Sequence, residues 1–329
     1  MKRLLFIPPE KWYVEAHAEY IIRYLSDEFF IEIGQAPYPP FSDIHSRFPE
    51  VSPFMRSPED YDLLWPMLPT HWQIPYDGYA HKSVTVFYCP NEGRHTSVAD
   101  IGATTPIVED SLDLEHKHFH SLRFGIDTNL FTPYDMGRED DLLHVGYIGT
   151  HINPRHMVKD VVMKVADIPG VRLMIFPTSW INNGGDINQV GGQPFLDHVV
   201  TGDKYWPGLP NIYNRLDVLL RMDQDPAYSF PTLEAGACGV PVIATNSGID
   251  HLITGAGGGI LIDGNREYYM NHTGEVADKV RDAVIWMRDH KKERQEMGKA
   301  SRAEIEKNWT WEKCIPAWRD FFEHALTRI

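Results

Sequence analysis

The stretch SFPTLEAGACGVPVIATNSG, residues 229–248, contains a single carboxylate, that of Glu234. Glu234 is therefore the residue of this stretch with the clearest capacity for chemistry. Small and apolar residues surround it, and the small ones that follow would let a helix here lie close to neighbouring strands. Gly239 suits a left-handed residue after the end of that helix. A carboxylate placed about one turn inside a helix can accept hydrogen bonds from neutral hydroxyls such as those of a ribose. It can equally do no more than complement the positive end of the helix dipole. The residues alone leave both interpretations open.

The residues just before Leu233 predict a helix start that could bind a phosphate. Pro231 fixes φ at a helical value and lacks the N–H group that would be unpaired in a first turn. Ser229 is a typical N-cap residue. A helix N-terminus formed by Ser229, Phe230, Pro231 and Thr232 would present backbone N–H groups and the positive end of the helix dipole, and both favour an anion.

The elements that must position these residues alternate between strands and helices. The runs RLLFIP, FIEIG, YDLLWPML and SVTVFY, and later LLHVGYIG, VRLMIFP, DVLLRM, PVIAT and GGILID, are apolar segments typical of strands buried on both faces of a parallel sheet. Amphipathic segments such as YVEAHAEYIIRYLSDEF and PRHMVKDVVMKVADI lie between them. The sequence therefore predicts an α/β protein with doubly wound parallel sheets. In such sheets, ligands bind outside the carboxyl ends of the strands.

The segment from Asp217 to Gly248 resembles the donor-site signature of the GT-B glycosyltransferases, especially the large retaining family 4. In that family a strand and a loop with two glutamates spaced E-x7-E lead into LEAxACGxPVIAT, and LEAGACGVPVIATNSG matches this nearly residue for residue. FGIDTNLFTP is similar to the family's inter-domain connector, and LLHVGYIG resembles the first strand of its nucleotide domain. NWTWEKCIPAW resembles its closing helix. The resemblance extends from about Ala99 to the C-terminus.

The resemblance implies the GT-B fold, in which two Rossmann-like, doubly wound parallel-sheet domains face a cleft. We expect residues 1–130 to form the acceptor-binding domain and residues 131–309 to form the nucleotide-sugar-binding domain. The C-terminal helix, residues 310–329, would pack back on the first domain.

The resemblance also implies roles for individual residues. The family's second E-x7-E glutamate binds the nucleotide ribose, and here it is Glu234. The first glutamate usually contacts the donor sugar, but Pro226 stands at that position, so Asp225 or Asp223 would substitute through a shifted loop. The family neutralises the diphosphate with an Arg and a Lys after the first strand of the second domain. An ungapped comparison places Thr150 and His156 at those two positions, just after Gly149, with Arg155 beside them and Lys159 one turn on. The aromatic residue expected to stack on the base is Tyr205, which can equally be a partly exposed packing residue.

The implied reaction moves a sugar from a UDP- or GDP-linked donor to a hydroxyl of a carbohydrate, lipid-linked or other acceptor, with retention. The nucleotide sugar is a co-substrate, and we expect no cofactor and no metal. The helix start and a cation such as Arg155 could stabilise the negative charge that grows on the diphosphate. We assign further catalytic roles to Asp225 and to His95, which follows the strand SVTVFYC and could act as general base on the acceptor. His95 can equally be an ordinary polar loop residue.

Charge and cysteine content disfavour other classes of protein. Thirty-one Lys and Arg residues against 46 Asp and Glu residues give a net charge of −15, which repels nucleic acid and anionic membranes. Cys89, Cys238 and Cys314 have no spacing typical of a metal site. No apolar run is long enough to span a bilayer, and the short apolar run at the N-terminus is unlike a signal peptide. We therefore expect a cytoplasmic protein.

Two alternatives to a glycosyltransferase stay open. A GT-B nucleotide-sugar epimerase would need paired acid and base groups in the cleft, and the long family signature disfavours it. A catalytically impaired nucleotide-sugar-binding protein would explain why the first E-x7-E glutamate and the Arg/Lys pair are missing from their usual positions.

Overall fold

The computed structural model of the protein describes residues 1–7, 12–33, 58–66, 82, 84–87, 101–104, 119–137, 140–149, 157–177, 197–198, 208–224, 228–246 and 248–328. The chain divides into two compact units. Met1–Gly125 and Trp311–Ile329 form the first unit, and Ile126–Thr310 form the second. These bounds differ by a few residues from the predicted domain boundaries.

The described residues of the first unit form two parallel sheets of three strands each. In one, the apolar strand β1 lies between its two neighbours, in the order β2-β1-β3, and the other has the order β4-β5-β6. The strands are β1 Lys2–Ile7, β2 Phe29–Ile33, β3 Leu63–Pro66, β4 Val84–Phe87, β5 Ile101–Thr104 and β6 Phe119–Ser121, and the helices are α1 Trp12–Leu25 and, at the C-terminal end, α8 Trp311–Arg328.

Aromatic side chains fix the C-terminal helix α8 within the first unit. Trp65 on β3 lies 5.4 Å from the ring of Trp318 and 5.1 Å from the ring of Phe322, measured between ring centroids. All three side chains are completely buried. Aromatic pairs at such distances add stabilisation beyond the burial of their area, so the aromatic-rich sequence of α8 is explained by its packing on this sheet.

In the second unit, the part of the chain that the structure describes forms one parallel sheet of five strands in the order β11-β10-β9-β7-β8. The middle strands are buried along their length, which explains their uninterrupted apolar sequences. The strands are β7 Leu143–Gly149, β8 Val171–Pro177, β9 Val218–Arg221, β10 Val242–Thr245 and β11 Gly259–Ile262. The helices are α2 Leu209–Asn214, α3 Phe230–Ala237, α4 Asp250–Ile253, α5 Arg266–Asn271, α6 Thr273–Asp289 and α7 Lys291–Asn308.

One predicted helix is replaced by irregular structure. PRHMVKDVVMKVADI was expected to be helical, but its described part, residues 157–168, consists of hydrogen-bonded turns and a 3-10 helix at Val162–Val165. Met157 has a positive φ of 48°. Valines dominate the buried face of this segment, and β-branched residues are poor helix formers. The valines are buried in this segment although it does not form a regular helix.

The small residues of α3 serve close packing, although against a different element from the one predicted. A Cβ atom added to Gly236 would lie 2.7 Å from the hydroxyl oxygen of Ser301 on α7. The run of small residues was expected to bring α3 close to neighbouring strands, but here a neighbouring helix makes the approach. Gly239 has φ of 73°, which confirms the predicted left-handed residue after the helix.

Within the described residues, no helix is both long enough and apolar enough to cross a membrane.

Candidate functional site

The candidate site lies at the carboxyl end of the five-stranded sheet, where four elements of the second unit meet. Strand β9 ends at Arg221 and β10 ends at Thr245, while helix α3 begins at Phe230 and α4 begins at Asp250. Ligands of open parallel α/β sheets bind at this edge. The predicted helix start therefore occupies the expected place.

Glu234 is held inside this edge by a tyrosine from α2. The residue is 5% exposed, and the hydroxyl of Tyr213, which is completely buried, donates a hydrogen bond to Oε2 of the Glu234 carboxylate. Burial raises the pKa of Glu234 to about 7, and the hydrogen bond from Tyr213 opposes that rise. A carboxylate with this pKa exists in both protonation states near neutral pH.

A second buried network joins the end of β9 to the start of α3. Arg221, which is 7% exposed, forms an ion pair with Asp223 and donates from Nε to Oγ of Ser229 at 2.8 Å. Oγ of Ser229 lies 2.7 Å from Oγ1 of Thr232, which donates to Oδ1 of Asp250. The chain of contacts therefore runs from β9 through α3 to α4.

Asp250 is the second carboxylate of this network and the first residue of α4. Its side chain is completely buried. Burial raises the pKa of Asp250 to about 7, while the charge of Arg221 and the hydrogen bond from Thr232 oppose the rise. Arg221 is thus the cation that compensates two buried carboxylates, Asp223 and Asp250.

The helix start differs in detail from the prediction. Ser229 occupies the N-cap position, but its side chain makes no capping hydrogen bond, because its Oγ is engaged by Arg221 and Thr232. The predicted side-chain cap is therefore wrong. The Thr232 N–H donates to the carbonyl of Ser229 at 3.2 Å, and Pro231 has no N–H. Backbone donation to an anion is thus left to residues before Pro231, together with the helix dipole.

The remaining predicted site residues have different outcomes. Asp223 was considered as a substitute for the missing sugar-binding glutamate, but its ion pair with Arg221 and its 4% exposure commit it to the buried network. That interpretation is wrong. Gly149 ends β7 at the carboxyl edge, and Lys159 is exposed in the turns that follow. The predicted residues outside the described part of the chain are His95, Thr150, Arg155, His156, Tyr205 and Asp225.

Three residues of the site were missed from the sequence, namely Tyr213, Arg221 and Asp250. Arg221 carried a signal, because it closes an otherwise apolar strand and Asp223 follows two residues later. A charge in that position is either solvent-exposed or paired. Tyr213 and Asp250 carried none, since a tyrosine in a short helix and an aspartate at a helix start are ordinary features.

Replacing Glu234 by glutamine is expected to stabilise the protein at alkaline pH only. Because the pKa of Glu234 is raised from 4.5 to about 7, its contribution to stability is complete below pH 4.5 and is lost as the pH rises through 7. Glutamine resembles the protonated form, so Glu234→Gln should raise the free energy of unfolding by about 1–3 kcal/mol at about pH 8.5. Urea denaturation at this pH and near pH 4.5 measures the difference. An equal effect at both pH values would contradict the assigned pKa.

Comparison with known proteins gives the family. A family model described as "Glycosyl transferase-like" matches residues 155–320, about half of the chain. The chain is similar to D-inositol 3-phosphate glycosyltransferase of Paenarthrobacter aurescens (strain TC1), with 27% identity over 223 residues, which are 62% of this chain and 51% of that protein. The chain thus spans about half the length of this relative.

Solved structures show the fold. Sucrose-phosphate synthase from Thermosynechococcus elongatus superposes with a TM-score of 0.75 and 15% identity, covering 100% of both chains. HepE of Anabaena in complex with UDP and glucose has a TM-score of 0.72 and 13% identity, covering 98% of this chain and 100% of its own. Membership of family 4 in particular stays a prediction. The chain has a GT-B fold with two Rossmann-like units, and the family model matches about half of its residues. The chain therefore belongs to the glycosyl transferase-like family.

Proposed function

We propose that the protein is a glycosyltransferase that moves a sugar from a nucleoside-diphosphate donor to an acceptor hydroxyl, with retention and without a metal ion. The observation that carries this proposal is the buried carboxylate of Glu234, held by Tyr213 one turn inside the helix that starts at the carboxyl edge of the sheet. The relative from Paenarthrobacter aurescens is named as a glycosyltransferase, and the HepE structure holds UDP and glucose. The first supports sugar transfer, and the second supports a nucleotide-sugar donor.

The donor would lie across the start of α3. The ribose hydroxyls would donate to the carboxylate of Glu234, and the diphosphate would lie at the positive end of the α3 dipole. Lys159 is exposed in the segment after β7, and we propose that it and Arg155 neutralise the phosphates. A UDP or a GDP donor would satisfy these contacts equally, because neither ribose nor diphosphate distinguishes the two bases.

In the chemical step, the bond between the anomeric carbon and the β-phosphate oxygen breaks as the acceptor oxygen bonds to the same face of the sugar. The pair of electrons from the broken bond stays on the phosphate, and the acceptor proton passes to that oxygen. Negative charge therefore grows on the diphosphate, where fixed dipoles and cations lower the barrier most. We propose that His95 orients the acceptor hydroxyl, and that Asp225 contacts the donor sugar.

A second candidate is a nucleotide-sugar-binding protein without transferase activity. The observation that favours it is the ion pair of Asp223 with Arg221. Asp223 is one of the two aspartates that were considered as replacements for the missing E-x7-E glutamate, and its ion pair engages it away from a donor sugar.

The test combines binding with turnover. Isothermal titration with UDP, GDP, UDP-glucose and GDP-mannose should show saturable binding of at least one nucleotide and its sugar. Incubation with the donor should then release free sugar with retained anomeric configuration, as followed by NMR, and EDTA should leave the rate unchanged. Loss of activity with EDTA that a divalent ion restores would contradict metal independence. Tight binding without turnover would favour the binding protein, and no binding at all would overturn the proposal.

A further inference from the structure

The hydroxyl of Tyr213 is the feature of the site that the proposed function does not explain. Tyr213 lies on α2, its side chain is completely buried, and its O–H donates to Oε2 of Glu234. The ring packs edge-on against Phe131 at 6.1 Å between centroids. The next residue, Asn214, attaches α2 to the preceding segment through a hydrogen bond from its side-chain amide to the carbonyl of Thr132. The tyrosine is therefore held rigidly, and so is the oxygen it contacts.

The other charged and titratable groups that the structure describes around Glu234 are engaged with other partners. On β9, Arg221 bonds to Asp223 and Ser229, and on α4, Asp250 accepts from Thr232. On α7, the guanidinium of Arg302 donates to backbone carbonyls, among them that of Ala237. Just after the end of α3, burial raises the pKa of the Cys238 thiol to about 12, so it stays protonated. Of the side chains described, Tyr213 is the one that donates to Glu234.

A carboxylate has two oxygens, and Tyr213 takes one of them. The orientation of the carboxylate is then set by the tyrosine, and none of the described side chains donates to the second oxygen, to which a ligand could donate. A hydrogen bond donated to the ionised form also favours that form over the protonated one. Both effects would favour a ligand that donates hydroxyl protons, such as a ribose diol.

We propose that Tyr213 is a positioning residue for the ribose: its hydroxyl orients the Glu234 carboxylate and favours its ionised form, which accepts hydrogen bonds from the ribose hydroxyls. This inference rests on the proposed function, since it assumes that a nucleotide ribose binds at Glu234. It predicts that Tyr213, although it is buried beneath the site, controls the pH dependence of donor binding and the preference for a ribonucleotide over a deoxyribonucleotide.

The experiment compares native protein with Tyr213→Phe, which keeps the ring and removes the hydroxyl. UDP-glucose and GDP-mannose are titrated across about pH 5.5 to 8.5, the range in which a carboxyl with a pKa of about 7 changes charge. Affinity of the native protein should rise with pH around 7. In Tyr213→Phe the midpoint should move to higher pH, and affinity at neutral pH should fall by about 3- to 10-fold. Discrimination between UDP and 2′-deoxy-UDP should decrease.

Tyr269→Phe is the matched control. Tyr269 is also completely buried in the second unit, and its hydroxyl bonds to the carbonyl of Ile262 and to the N–H of Asn246 rather than to Glu234. Tyr269→Phe removes this hydroxyl and is titrated in the same way, and the pH midpoint of donor binding should stay where it is in the native protein. A change of donor affinity that is common to Tyr213→Phe and Tyr269→Phe would then reflect a general loss of packing in the second unit.

The outcomes separate the inference from the proposed function. If neither probe binds the native protein, the proposed function fails and Tyr213 loses its role with it. If the probes bind and Glu234→Ala weakens them, but Tyr213→Phe has the native pH midpoint and the native ribose preference, only the role of Tyr213 is overturned. Circular dichroism confirms that each variant is folded.

Discussion

Arg221→Met is expected to destabilise the protein by about 3–5 kcal/mol, the cost of leaving buried carboxylates without their cation. Arg221 is 7% exposed, pairs with Asp223 and supports Ser229 through its Nε atom. Methionine fills a similar volume but offers no charge and no donor. Asp223 and Asp250 would then have to be protonated or exposed to water, so the loss should grow as the pH rises. Urea denaturation followed by circular dichroism measures it.

Arg172→Met provides the control for this prediction. Arg172 also belongs to the second unit and pairs with Asp140 at 2.8 Å, but its side chain is 52% exposed. A surface ion pair of this kind contributes about 0–1 kcal/mol to the free energy of unfolding.

A double variant adds a second check. When Asp223→Asn is combined with Arg221→Met, part of the stability lost in Arg221→Met should return, because one uncompensated charge is removed. Equal losses for the two arginine variants would show that burial of the Arg221 network has little energetic weight.

Glu234→Ala is expected to weaken the binding of the donor nucleotide by about 1–3 kcal/mol, or roughly 5- to 150-fold, because hydrogen bonds to a charged acceptor are lost. The reduction should appear with the nucleoside diphosphate alone, since the proposed contact is to the ribose and not to the sugar. Glu234→Gln should have an intermediate effect, as it keeps one acceptor oxygen. Isothermal titration at about pH 8, where the native carboxylate is mostly ionised, gives the clearest contrast.

Glu296→Ala serves as the comparison for Glu234→Ala. Glu296 lies on α7 with a side chain that is 61% exposed and paired with Lys299, so its loss should leave nucleotide affinity unchanged. If Glu234→Ala bound the nucleotide as tightly as this control, ribose recognition would have to be assigned to another residue.

Much of the fold followed from local sequence patterns. The five apolar runs of the second half became β7 to β11, and Gly239 closed α3 in the left-handed conformation, because burial on both faces and a positive φ leave direct marks on residue choice. The segment at residues 157–168 was the exception. Its buried valines satisfy the pattern of an amphipathic helix and also suit the turns that the chain forms instead.

The location of the site could be predicted, but its internal contacts could not. The proline-started helix and Glu234 do lie at the carboxyl edge of the sheet. Tyr213, however, reaches Glu234 from another helix 21 residues earlier, and Thr232 meets Asp250 18 residues later. Such contacts depend on how elements pack to within hydrogen-bond distance, which periodicity does not encode. Ser229 is an example. Its residue type suggested a helix cap, but its hydroxyl accepts a hydrogen bond from the buried Arg221 instead.

Two of the three buried carboxylates of the site, those of Glu234 and Asp250, also connect stability with function. Burial raises the pKa of both Glu234 and Asp250 to about 7, so each ionised form opposes folding near neutral pH. Variants that neutralise them should be more stable at alkaline pH, yet Glu234→Gln should bind donor less well. Such a trade-off is typical of groups retained for a ligand.

The most direct test of the central claim is a crystal structure of the protein with the nucleoside diphosphate that it binds. The account predicts that a ribose hydroxyl oxygen lies within hydrogen-bond distance of the Glu234 carboxylate, with the diphosphate against the first turn of α3. A nucleotide found elsewhere, with the Glu234 carboxylate in contact with Tyr213 alone, would contradict it.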